Sequence, residues 1–337
     1  MSSSGGNAYA LAIATLSSPY VVAYYFSTTF GFGSKFANPA TLLPDTADSV
    51  AFTSDGSAIA IAHSTAPYVG AYPWSRSGFG SKFTSPGTVT GSGNGVAFSA
   101  ANDAIAVAHG TTPFISAYAW SGSGFGSKFT NPATLPTDTG RAVAFAPDDS
   151  AIAVAHTDSP YVTAYPWSGS GFGSKFSNPS TLPTGTGSGV AFSPDVSAIA
   201  VSHATSPYIS AYPWSGVVGF GAKFSNPATL PTGTGQFVAF SPDGSAIAVA
   251  HTNTPYVSVY PWSGSGFGTK FANPATRPAD DGYGVAFSPD GKAIAVAHPT
   301  SPYVSAYPWS GSGFGTKFAN PSTSVGSEGR AVAFGLI

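Results

Sequence analysis

The chain has 337 residues, of which 42% are hydrophobic and only 8% are charged. That excludes a disordered chain, which needs low hydrophobicity and high net charge. A formal net charge of −2 and no cysteine argue against nucleic-acid binding, which calls for a basic excess, and leave no disulfide or thiol chemistry.

Residues 1–7 (Met-Ser-Ser-Ser-Gly-Gly-Asn) read as a polar tail, without the charged start and apolar stretch of a secretory signal. The longest apolar runs, such as 8–14, are far short of the ~20 residues of a membrane helix. A soluble chain without membrane insertion is expected.

From residue 8 onward the motif Ala-His-x-x-x-Pro-Tyr/Phe-Val/Ile organises the chain. Its prolines are Pro19, Pro67, Pro113, Pro160, Pro207, Pro255 and Pro302. They are 46 to 48 residues apart, and a fixed period in the forties with strand-like content marks a propeller or similar array. The unit from Gly235 shows the elements in order. Val238-Ala-Phe240 reads as a strand, and Ser241-Pro-Asp-Gly244 as a turn. In Ala246–His251 the bulky Ile247, Val249 and His251 alternate with alanine, a period of two that predicts a strand. A third strand is predicted over Tyr256–Trp262 and a fourth over Phe267–Phe271.

Each unit therefore predicts a four-stranded antiparallel sheet with one bulky and one alanine face. Such sheets stack radially into a seven-bladed β-propeller, an all-β fold spanning 8–337. The first unit opens at Ala8 on its second strand, and the last residues, Arg330-Ala-Val-Ala-Phe334, supply the missing first strand. The C-terminal strand is expected to pair with the N-terminal blade and close the ring.

Gly284-Val-Ala-Phe-Ser-Pro-Asp-Gly291 resembles the opening strand and turn of WD40 and YVTN-type propeller repeats. The resemblance covers nearly the whole chain, unit by unit. It implies that Val-Ala-Phe is innermost, followed outward by Ala-Ile-Ala-Val, Pro-Tyr-Val and Gly-Phe-Gly-Ser-Lys-Phe. The chain departs from WD40 repeats in lacking Gly-His before the first strand and in placing Ser after Trp, so the Trp-Asp tetrad is not carried over.

Two repeated sets are the candidate ligand-binding residues. His63, His109, His156, His203, His251 and His298 each end a second strand. They read either as buried groups bonded to a neighbouring loop or as direct ligand contacts. Neighbouring sheets lie ~10 Å apart, too far for equivalent histidines to share a metal ion. Trp74, Trp120, Trp167, Trp214, Trp262 and Trp309 lead into Ser/Gly-rich turns. They read either as a sugar-stacking surface or as packing between blades. The lysine of each outer strand protects a free edge.

No catalytic residue, metal or cofactor is assigned. No Ser-His-Asp or paired-glutamate spacing occurs, the units look alike, and no carboxylate cluster is apparent around the channel. The expectation is a non-enzymatic, multivalent recognition module for a repetitive glycan or protein surface. It would be adhesin-like, on a virus particle or a secreted assembly, and monomeric as a closed ring, with larger assembly left open. The alternative is a rigid protein-interaction scaffold.

Overall fold

The computed structural model describes residues 8–337; the tail assigned to 1–7 lies outside the described residues. Every regular element is a strand, and the strands form seven antiparallel sheets arranged as blades. Among the described residues no helix is long and apolar enough to cross a membrane.

Blade 1 joins the two ends of the chain. Gly329–Leu336 pairs with Ala8–Thr15, aligning Tyr9 with Leu336 and Ile13 with Val332. Val21–Ser27 and Gly31–Lys35 complete that sheet. Phe26 locks the junction, with Phe334 and Phe318 edge-on at 5.2 and 5.5 Å. The closure read from the two ends is therefore present.

The alternation of bulky residues and alanine sets the packing. Ala246, Ala248 and Ala250 of blade 6 lie against Ile294, Val296, Tyr307 and Trp309 of blade 7. At the closing interface Ala293, Ala295 and Ala297 meet Leu11, Ile13, Tyr24 and Phe26. Alanine on one face lets the adjacent sheet approach closely enough for its large side chains to fill the gap. Each such side chain contributes roughly 1.5–3 kcal/mol on full burial.

The outer edge departs from the expected regular fourth strand. Blades 1 and 3 carry five-residue outer strands, Gly31–Lys35 and Gly124–Lys128. Blades 2 and 5 keep two residues, Gly78–Phe79 and Gly219–Phe220. In the other three only single bridges remain, Trp167–Phe172, Trp262–Phe267 and Trp309–Phe314. The third strand explains the difference. Pro73, Pro166, Pro213, Pro261 and Pro308 stand where blades 1 and 3 have Tyr25 and Ala119. Proline has no N–H for the outer ladder.

The connection into each blade shares a face with the His-x-x-x-Pro turn. In blade 2 Ser64 N donates to Thr46 O at 3.0 Å, and Thr65 Oγ1 donates to Asp45 at 2.6 Å. The Pro-Tyr/Phe carbonyl of that turn lies against the next blade's first residue. A Cβ on Gly140 would stand 2.3 Å from Phe114 O. The same approach holds at Gly93, Gly187, Gly235, Gly282 and Gly329, which explains the glycine at this position in six of the seven blades, with Ala47 as the exception.

Candidate active site

The innermost strands begin with a break in register. Ala47 pairs with His63 and Ser49 with Ala62, which leaves Asp48 unpaired between them. The same bulge falls on Asn94, Arg141, Ser188, Gln236 and Arg330. Tyr283 holds the equivalent place just before the strand Gly284–Phe287. A bulge adds one residue to its strand and re-aims that side chain. All seven side chains line one well of about 390 Å³ at the axial mouth, on the face of the long connections.

These residues differ from blade to blade while their neighbours hardly change. Glycine or alanine precedes them, and an apolar-Ala-Phe run follows closely. The well is consequently asymmetric. Arg330, Asp48, Asn94 and Arg141 form a charged and polar arc over blades 1 to 4. Ser188, Gln236 and Tyr283 form an uncharged arc over blades 5 to 7. The expectation that no special residues break the repeat is thus corrected at a single position per unit.

Arg330 is the hub of the charged arc. Its Nε lies 3.2 Å from Glu328 Oε1 and 4.0 Å from Asp48 Oδ1. Its guanidinium carbon stands 5.8 Å from the centre of the Tyr283 ring. Burial pushes the Asp48 carboxyl above its ordinary range; Arg330 and Arg141 oppose that rise, while Asp45 and Glu328 reinforce it. The Tyr283 phenol is also raised, first by burial and then by Glu328. The Asn94 amide donates to Gly140 O at 2.8 Å, tying blade 3 to blade 4 beside the well.

The two repeated sets sit elsewhere, inside the blades. His63, His109, His156, His203, His251 and His298 have no exposed surface. Five of them bond through Nε2 to a hydroxyl of the third strand, as in His156–Thr163 at 2.9 Å and His203–Ser210 at 3.0 Å. His63 faces Gly70 instead, and neither of its ring nitrogens has a partner. Trp74, Trp120, Trp167, Trp214, Trp262 and Trp309 are only 4–6% exposed. Each is boxed by phenylalanines: Trp120 meets Phe83, Phe98 and Phe125 edge-on at 5.3, 5.0 and 5.1 Å. Burial favours the packing alternative for both sets: the histidines have no exposed surface and the tryptophans keep 4–6% of theirs. The outer lysines bond along the edge, as Lys35 Nζ does to Asn38 Oδ1 at 2.8 Å.

No family model and no curated protein matches this sequence. Solved structures do. A periplasmic gluconolactonase of Pseudomonas aeruginosa superposes with a TM-score of 0.75 at 15% identity, over 98% of this chain and 100% of that one. A candidate 6-phosphogluconolactonase of Bacteroides uniformis gives 0.74 at 14% identity, over 97% and 99%. A functionally unknown protein of Desulfotomaculum acetoxidans gives 0.69 at 14%, over 98% and 99%. The likeness is one of fold. It nonetheless overturns the expectation of a non-enzymatic recognition module, since propellers of this shape include named lactonases. The axial well removes the structural ground for that expectation as well.

Proposed function

We propose that this protein is a hydrolase that opens a sugar-type lactone in the axial well. The observation that carries the reading is the bulge ring, which brings Asp48, Arg330 and Arg141 together in one well lined by all seven blades. The names of the similar propellers support the substrate class.

Asp48 is the base in this reading. Its carboxylate takes a proton from water as the water oxygen bonds to the lactone carbonyl carbon. Arg330 and Arg141 offset the negative charge that develops on the carbonyl oxygen. The tetrahedral centre then collapses, the ring C–O bond breaks, and the proton passes from Asp48 to the departing alkoxide. The product is an open-chain hydroxy acid. A raised carboxyl pKa suits this chemistry, because a base nearer the working pH accepts a proton more readily. General-base help contributes typically 10²–10⁴-fold, and a positioned oxyanion donor ~2.7–4 kcal/mol. Tyr283 and the uncharged arc would hold the rest of the sugar ring. We also propose that the repeat is of the WD40-like or YVTN type, supported by the strand and turn at 284–291.

The test is hydrolysis of glucono-δ-lactone followed by acid release, corrected for the spontaneous rate. The wild-type protein should exceed the blank, and Asp48→Asn should lower kcat by about 100-fold or more without changing the melting temperature by more than a few degrees. A wild-type rate equal to the blank, or an Asp48→Asn rate equal to wild type, refutes the reading.

A further inference from the structure

Glu328 is the only glutamate in the chain. It stands two residues before the bulge, where five other units have Thr46, Ser92, Thr139, Thr186 and Thr234. The backbone at that position does the same thing in six of the seven blades, its carbonyl accepting an N–H from the neighbouring turn; in the seventh, Asp281 faces Pro299, which has no N–H to give. Ser64 N bonds Thr46 O at 3.0 Å, Thr157 N bonds Thr139 O at 3.1 Å, and Leu16 N bonds Glu328 O at 3.1 Å. Any residue type can accept that bond. The threonine hydroxyls add a second one, donating to the preceding blade: Thr46 to Leu16 O at 3.0 Å, Thr186 to Thr157 O at 3.1 Å. An ionised carboxylate has no proton to donate, so Glu328 gives up that bond. What it gains is Arg330, at 3.2 Å.

We propose that Glu328 is a positioning residue that holds the Arg330 guanidinium aside from Asp48 and so keeps Asp48 available as a base. The inference rests on the reading of Asp48 given above. Arg330 lies between two carboxylates and is nearer to Glu328 than to Asp48. Its Nε is buried and makes no hydrogen bond, so at that atom Glu328 is the nearer of two charge partners, beside the Tyr283 ring at 5.8 Å. Without Glu328 the guanidinium is free to close on Asp48. A tight charge-assisted pair there would stabilise the ionised carboxylate and lower its basicity. The charged groups acting on Asp48 are Arg330 and Glu328 from blade 1, Arg141 from blade 4, and Asp45 from its own connection. Of these, Glu328 has the closest hold on Arg330.

The test measures Asp48 directly. With aspartate carboxyl carbons labelled, the Asp48 signal is the one lost in Asp48→Asn, and its midpoint is followed by NMR titration. Glu328→Gln and Glu328→Thr, the latter matching the other units, should lower that midpoint by roughly half a unit or more, a discounted share of what a newly closed ion pair produces. Glu328→Asp should restore part of it. The acid limb of kcat/KM for glucono-δ-lactone should move down with it. The same substitutions on an Arg330→Gln background should move the midpoint by less than half as much. An unchanged or raised midpoint overturns the proposal, and so does a full-sized shift without Arg330, which would make Glu328 a direct partner of Asp48. If wild type fails to hydrolyse the lactone, the proposed function falls, while the titration still decides whether Glu328 governs the Arg330–Asp48 pair.

Discussion

Acidification from pH 7.5 to 5 should unfold this propeller, because six imidazoles must stay neutral to keep their places. His63, His109, His156, His203, His251 and His298 have no exposed surface. Burial holds His63, His109, His156, His203 and His298 down at about 4, and it lowers His251 as well. An imidazole in the unfolded chain protonates near 6.5. Between those values the unfolded state binds more protons, so stability is fully present above about pH 6.5 and falls as pH drops toward 4. Near pH 5 each of the five histidines held at about 4 takes up close to one proton on unfolding. That is a slope of roughly 1 to 1.5 kcal/mol per pH unit for each, and roughly 5 to 7.5 for the five together, with His251 acting in the same direction. The uptake builds from half a proton each at pH 6.5, so the integrated loss by pH 5 is roughly 10 kcal/mol, enough to bring a domain of ordinary stability, ~5–15 kcal/mol, to or near its unfolding midpoint.

The lowered carboxylates do not blur this window. Asp45, held at about 2, and Asp55, Asp195, Asp243 and Asp280 are lowered by hydrogen bonds. Their stabilisation is therefore lost only below about pH 4. Asp48 is raised and acts with the opposite sign: its protonation on acidification relieves a buried charge. Urea unfolding followed by tryptophan fluorescence at several pH values between 7.5 and 5 gives the proton uptake from the slope. Uptake of fewer than about two protons across pH 6.5–5 refutes the account.

Two further outcomes follow from the packing. Tyr165 donates to Thr134 O at 2.7 Å, whereas the buried Tyr307 hydroxyl has no partner; Tyr165→Phe should cost ~1 kcal/mol and Tyr307→Phe nothing or slightly less than nothing, and equal effects in a thermal melt would contradict this. Truncation after Glu328 removes the eight-residue strand that closes blade 1, and calorimetry should show a loss of roughly 10 °C or more, an unchanged melt being the result that denies closure.

The blades were legible in the sequence because their determinants are local. Ile247, Val249 and His251 alternate with alanine, and Ser241-Pro-Asp-Gly244 marks a turn wherever it stands. The shortened outer strands were harder to see, since what shortens them is a proline on the neighbouring strand, as Pro261 does for Phe267. The well was missed for a different reason. Asp48, Asn94 and Arg141 lie outside the alternation, because a bulge inserts one residue and breaks the parity by which faces are assigned. Arranging the units in columns would have exposed them, as one position that takes six residue types in seven units between a glycine or alanine and an apolar-Ala-Phe run. Attention to repeated residues led instead to the histidines and tryptophans.

Repetition itself explains why those residues are packed inside the blades. Seven equivalent interfaces need seven equivalent solutions, so a residue that recurs from blade to blade, such as the Trp120 type in six blades with Phe26 in the seventh, answers a packing demand. Chemistry at one bond needs a base, a cation and a hydroxyl-binding group together, and equivalent positions off the axis are separated by the ~10 Å spacing of stacked sheets. Only at the axis do the blades bring different positions within reach of one substrate. There a symmetric ring of identical side chains would supply one role seven times over. Divergence at the bulge, from Asp48 through Arg141 to Tyr283 and Arg330, supplies several roles at once. It leaves the packed strands untouched, because the bulged residue stands outside the ladder that holds each blade together.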